Sequence, residues 1–185
     1  MNREEAWQLL CEYTLNDSLR KHGLAVEAAM RHYARLMGQD EEQWGIAGLL
    51  HDFDYERFPT SPAHTREGAK VLRERGVDEE IVGAMLSHAE WNTDEYPRDR
   101  PIRKVLFAVD ELSGFIIACA LVRPNKLEDL APKSVKKKMK QPAFAAAVSR
   151  EDIQKGAELL EVPLDDHIDH CVKALQGIAG DLGLA

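Results

Sequence analysis

Cysteine is scarce and scattered in this chain. Cys11, Cys119 and Cys171 are the three present. An odd number without a CxxC pair excludes a disulfide framework and a zinc-finger pattern. Reduced thiols fit a cytoplasmic protein best. Long hydrophobic runs are also missing. The most extended, about Phe115 to Val122, is too short to span a bilayer. The charged N-terminus, MNREEAWQLL, lacks the apolar centre of a signal peptide. There is no internal repeat and no run of alternating residues that reads as strands. Neither a P-loop nor a GxGxxG is present, which leaves ATP-driven and nicotinamide chemistry unsupported. Ser113-Gly114 is not part of a GxSxG, so no nucleophile elbow is expected there. An overall positive charge is absent too. The chain carries 32 acidic against 24 basic residues, net -8, which argues against the domain as a whole binding nucleic acid or a membrane.

What is present is helical period. The 185 residues are 44% hydrophobic, which suits a single domain over residues 1–185 with one core. Asp17 or Ser18 can cap a helix whose apolar face carries Leu19, His22, Val26, Ala29 and Tyr33, with Gly38 as its stop. Asp40 and Asp78 can cap two more helices, and a short one runs from about Thr65 to Gly76. Two Pro-containing polar stretches, DFDYERFPTSPAH and EWNTDEYPRDRP, read as loops. Pro101 opens the most apolar segment, IRKVLFAVDELSGFIIACALV; a helix apolar nearly all round belongs at the centre of a bundle. Beyond it the sequence predicts a short acidic helix, a lysine-rich helix, and helices from about Arg150 and Leu164. The fold class is all-α, with a core over about 15–120 and a helical C-terminal extension over about 121–185.

The chemistry rests on histidine and aspartate. His22 lies on an apolar helix face, His51-Asp52 ends the run IAGLL, His64 precedes a helix and His88 closes one. Asp110 sits in the middle of the most apolar helix, where a bare carboxylate is costly unless paired or bound to a cation. Each has a plainer explanation. A lone histidine on an apolar face is more often a hydrogen-bonded core residue than a ligand. Asp110 could pair with Arg103 or Lys104, and Asp52 could close a loop. Taken together, imidazole nitrogens and carboxylate oxygens at inward faces are the ligand set of a divalent Zn, Fe, Mn or related ion.

The order His22, His51-Asp52, Asp110 resembles the HD-domain superfamily of metal-dependent phosphohydrolases. The context is similar as well: GLLHDFD, HTREGAKVL and VLFAVDELSG resemble the family's segments around the HD pair, the following histidine helix and the last aspartate. The resemblance covers about residues 15–120 and implies an all-helical bundle with a central metal site. It places one ion on His22, His51, Asp52 and Asp110. His64 and His88 would serve a second ion, with Asp52 bridging, an arrangement similar to HD hydrolases that split symmetrical dinucleoside polyphosphates. The C-terminal segments resemble a smaller bacterial subgroup of HD hydrolases with no settled substrate.

The resemblance thus implies one or two divalent ions (Fe, Mn, Zn, Co or Mg), His51 and Asp52 as the catalytic pair, and a small phosphorylated substrate, a nucleotide foremost. Arg57, Arg66, Lys136, Lys137 and Arg150 are the candidate substrate-binding cations; for the lysines, a solvated helix face is the plainer reading. Tyr55 and Trp91 could stack on a base or simply pack their loops. His167 and His170 read as an exposed polar helix start, and His32 as a surface residue. Two alternatives share the ligands: a di-iron oxygenase on the same fold, and a binding or regulatory module with a structural metal.

Overall fold

The computed structural model describes residues 1–185. Ten α-helices and a short 3-10 turn make up the chain, with no strand: α1 (Arg3–Tyr13), α2 (Asp17–Met37), α3 (Glu41–Leu50), α4 (Ala63–Glu74), α5 (Glu79–His88), the turn Glu90–Asn92, α6 (Pro101–Leu121), α7 (Pro132–Met139), α8 (Arg150–Leu159), α9 (Leu164–Gln176) and α10 (Ala179–Leu182).

Local chemistry sets most boundaries. The Asp40 carboxylate accepts from Gln43 N at the start of α3, and Asp78 accepts from Glu80 N at the start of α5. Pro101 occupies the first turn of α6. Gly38 ends α2 in the left-handed region at φ 63°, a conformation that costs a side-chain-free residue little. The cap of α2 is Asn16, whose side chain accepts from Ser18 N and Leu19 N, one residue before the expected Asp17. Two segments differ from the sequence reading. Residues 3–13 form a helix closed by a reciprocal cap between Asn2 and Glu5, burying Ala6, Leu9 and Leu10. The stretch after Arg123 is a series of turns rather than a short acidic helix.

The two 21-residue helices, α2 and α6, cross at the centre. Helix α3 lies along α2, α5 packs on α6, and α1 covers α3. Helices α8 and α9 pack back on α6, and α9 also on α2. One continuous buried cluster therefore runs from Ala6 to Leu184. His167, expected at a solvated helix start, is fully buried. Its Nδ1 meets the Tyr33 hydroxyl at 2.6 Å and its Nε2 the Ala108 carbonyl at 2.9 Å. Its exposed-looking acidic neighbours hid the fact that it lies on the inner stripe of α9, where it ties α9 to α2 and α6. His32 is half-buried against His170, with ring nitrogens 3.2 Å apart.

Helix α8 reaches α6 only because Gly156 has no side chain. A methyl there would stand 2.6 Å from the Ala108 Cα. Gly156→Ala should lower the free energy of unfolding by about 1–3 kcal/mol through overpacking, read as a reduced urea midpoint with an unchanged slope; an unchanged midpoint would mean that α8 shifts freely.

Candidate metal centre

Five segments deliver six ligand-type side chains to one place. His22 comes from the buried side of α2, and His51 is the residue that caps the C-terminus of α3. Asp52 follows it, His64 stands at the start of α4, His88 ends α5, and Asp110 lies midway along α6. His22 Nε2 is 3.0 Å from Asp110 Oδ1 and 3.2 Å from His51 Nε2. His51 Nε2 is 3.3 Å from Asp110 Oδ1 and 3.6 Å from Asp52 Oδ2. On the other side of Asp52, its Oδ1 lies 3.1 Å from His64 Nε2 and 3.2 Å from His88 Nε2. The result is two groups, His22-His51-Asp52 and Asp52-His64-His88, joined at Asp52. Asp110 adjoins the first. All six sequence-derived positions converge.

The outer nitrogens set the tautomers. His51 Nδ1 is 2.7 Å from the Gly48 carbonyl, and His88 Nδ1 is 2.5 Å from the Met85 carbonyl. His64 Nδ1 is 2.9 Å from Asp54 Oδ1. A neutral imidazole that donates from Nδ1 presents a lone pair on Nε2. Three such lone pairs face carboxylate oxygens, an arrangement that is repulsive unless a proton or a metal cation lies between them. Asp52 Oδ1 is accordingly buried with no hydrogen bond of acceptable geometry, despite two ring nitrogens at close range. The separations of 3.0–3.6 Å also suit neighbouring ligands on a polyhedron with metal–ligand bonds of about 2.1 Å. The residues fit one divalent ion on each side of Asp52.

Asp54 anchors the second group. It is fully buried, and its Oδ2 accepts from Thr65 N and Gly68 N, each at 2.9 Å. The backbone breaks from helical geometry at His64, and Thr65 takes φ 68°. A β-branched residue there is strained. The strain is held by Asp54 and by Asn92, whose amide donates to Thr65 Oγ1 at 2.8 Å, and the break turns His64 toward Asp52. The role of Asp54 was not read from the sequence; an aspartate two places after the HD pair, flanking a buried phenylalanine, is the signal available.

The charges are strongly interdependent. Burial disfavours the charged form of His51, but the Asp52 and Asp110 carboxylates outweigh it and raise the imidazole to about 9. Burial likewise opposes protonation of His64, and Asp52 with Asp54 raises it to about 9. Burial opposes ionisation of Asp52 and Asp110, yet their histidine partners hold both well below the usual carboxylate range. Asp110 is not sealed in the core: its side chain keeps 21% exposure. Arg103, a possible partner, bonds instead to the Pro97 carbonyl.

That exposure opens into a cavity of about 530 Å³. Tyr55, Trp91, Phe107 and Leu19 line it with His22, Asp52, His64, His88 and Asp110. Glu90, Glu111, Asp152 and Arg98 line it too. Glu111 accepts from Ser149 N at 3.0 Å, and burial, then the nearby Asp110 charge, push its carboxyl up. The Tyr55 ring stands 5.2 Å from that of His64. None of the five expected substrate-binding cations lines this cavity. Arg57 stacks on Tyr13 and donates to the Glu12 carbonyl, while Arg66 binds Asn92 and Glu95. Lys136 pairs with Asp165 at 2.7 Å, and Lys137 lines a separate cavity. Arg150 lies against Phe115 and donates to the carbonyls of Ala145 and Val148. Arg57, Arg66, Lys136 and Arg150 are each held by another acceptor and Lys137 faces elsewhere, which spacing along a chain does not reveal. The cation on the wall is Arg98, a residue the sequence reading passed over. It donates to the Ser87 and His88 carbonyls at 2.9 Å and pairs with Glu90.

A helical bundle that gathers four histidines and two aspartates under an open cavity defines an α-helical protein with the side chains to hold a metal ion. The chain belongs to the HD-domain family, whose model matches residues 19–114; the superfamily is one of metal-dependent hydrolases. Comparisons with curated proteins and with solved structures gave no match. No helix is long and apolar enough to cross a membrane.

Two outcomes are expected. Without an ion, the raised histidines stabilise the fold in full below the ordinary imidazole value of 6.5 and lose that contribution as pH rises through about 9. A cation must displace those protons, so apparent affinity for Mn or Zn should rise with pH up to about 9, with proton release seen by calorimetry in buffers of different ionisation heat. Pair-independent, pH-flat binding would contradict the site. Separately, Asp54→Asn should weaken the second ion about 10- to 100-fold and spare the first, measured as a fall in metal stoichiometry from near two toward one.

Proposed function

We propose that this protein is a metal-dependent phosphohydrolase acting on a small phosphorylated molecule, with nucleotides as the first class to examine. The observation that carries the reading is the pair of ligand groups sharing Asp52 at the floor of an open cavity. Ions held by these two groups would supply charge stabilisation for displacement at phosphorus, where attacking and leaving oxygens both need it. His22, His51, Asp52 and Asp110 would hold one ion, and Asp52, His64 and His88 the other. Divalent ions there supply Lewis acidity and lower the pKa of water.

The chain's own contribution is placement. Gly48, Asp54 and Met85 keep the Nε2 atoms of His51, His64 and His88 turned inward. Tyr55 and Trp91 flank the mouth, at 39% and 44% exposure, with apolar faces that suit a base or another flat group. The wall brings one cation, Arg98, against the carboxylates of Glu90, Glu111 and Asp152. So little positive charge from side chains means that neutralising a phosphoryl group depends on the bound ions. That balance also disfavours substrates with many uncompensated phosphates.

The test is a phosphatase screen of nucleotides and sugar phosphates with Mn, Co, Mg and Fe, alongside elemental analysis. Turnover should vanish with chelator and return with metal. Asp52→Ala should lower kcat/KM by at least about 10³-fold, equivalent to roughly 4 kcal/mol of transition-state stabilisation. Oxygen uptake by iron-loaded protein, without phosphate release, would instead favour oxygenase chemistry on the same ligands. Tight metal with neither activity would favour a regulatory module.

A further inference from the structure

The last turn of α6 and the helix α7 border a second, partly open cavity of about 280 Å³ that shares no residue with the one over the ligand cluster. Arg123, just past α6, and Lys137 and Lys138 of α7 face it, together with Ser134, Gln141 and Cys119. None of its lining residues is acidic. This concentration of cations stands out in a chain of net charge -8. The Arg123 guanidinium pairs with Asp129 at 2.7 Å through one terminal nitrogen, while its buried Nε has no acceptor. Burial pushes the Cys119 thiol up to about 11, and the charges of Lys138, Arg123 and Arg150 pull the other way.

A solvated lysine face explains Lys136, which is paired with Asp165, and the exposed Lys133 and Lys140. It does not explain why Arg123, past the end of α6, and Lys137 and Lys138 of α7 line one open pocket together with a hydroxyl and an amide. Like charges brought together cost free energy unless an anion offsets them. Guanidinium and ammonium donors with neutral hydrogen-bonding groups are the chemistry of oxyanion recognition. At about 280 Å³ the cavity falls just below the usual range of ligand pockets, about 300 to 1,000 Å³, which restricts it to a small ligand.

We propose that this cavity is a second ligand site, holding a small phosphate-class oxyanion on Arg123, Lys137 and Lys138, with Ser134 and Gln141 completing its hydrogen bonds. It stands independently of the phosphohydrolase reading, since it uses none of the metal-site residues.

Calorimetric titration of the full-length chain at physiological salt tests it, with inorganic phosphate and pyrophosphate as separate probes. Asp52→Ala serves as the background, because it removes competing anion binding at the metal centre. One equivalent of at least one probe should still bind there. In that background Lys137→Gln should weaken binding about tenfold or more, and Lys137→Arg should retain most of it. Lys137 is exposed, so the variants should fold, and an unchanged thermal melt checks this. For cases where Lys137 reports poorly, Arg123→Gln is the second variant, with the same expected loss. No binding of either probe in the Asp52→Ala background would overturn the proposal. So would binding unaltered by both Lys137→Gln and Arg123→Gln. Failure of the phosphatase screen would leave these results unaffected.

Discussion

Asp52 is the constraint around which the molecule is arranged. One carboxylate oxygen faces the Nε2 atoms of His64 and His88, and the other faces His51. Carboxylates and imidazole lone pairs at such separations are tolerated only with protons or cations between them. Satisfying them requires α2, α3, α4, α5 and α6 to hold their side chains within a few tenths of an ångström. The packing meets that requirement with small residues where helices must approach. A methyl on Gly48 would come within 2.9 Å of the Val26 carbonyl, and one on Gly68 within 2.7 Å of Asp54 Oδ2. The first closeness seats α3, and with it His51, against α2. The second lets Asp54 bridge the loop to α4.

The distribution of charge follows from the same constraint. The cavity over the ligand cluster is lined by carboxylates and imidazoles with one arginine, so apart from Arg98 its positive charge would come from protonated histidines or from the ions that replace those protons. Lys133, Lys137, Lys138 and Lys140, which make no ion pair, lie at α7, away from that cavity. Electrostatic separation of this kind keeps lysine ammonium groups from competing with a divalent ion for the same carboxylates. Under the proposed function, substrate recognition at this centre would fall to the ions, Arg98 and the aromatic rim.

Much of the fold was legible because its signals are local. Asp40, Asp78, Pro101 and Gly38 announce helix ends by the hydrogen bonds and backbone angles their side chains allow. The apolar run of α6 announces a central helix, and a lone aspartate in its middle announces unusual chemistry. Residues 3–13 were harder: their helix carries only three buried residues, and a charged start looks like any surface segment. His167 misled because its neighbours along the chain are acidic while its neighbours in space are Tyr33 and the Ala108 carbonyl. The basic residues misled for the same reason. Arg57, Arg66 and Arg150 each find a carbonyl, carboxylate or ring that lies far along the chain or across a turn.

Residue type and order by themselves determined an all-helical chain with six metal-ligand side chains in a recognisable succession, since imidazole and carboxylate chemistry does not depend on context. The tertiary structure decided how they group: two sets sharing Asp52, with Asp54 as the anchor of one and a half-open Asp110 beside the other. It also decided which cations attend the site, for Coulomb and hydrogen-bond energies depend on distances through space, and the packing of α2 on α6 brings together His22 and Asp110, 88 positions apart.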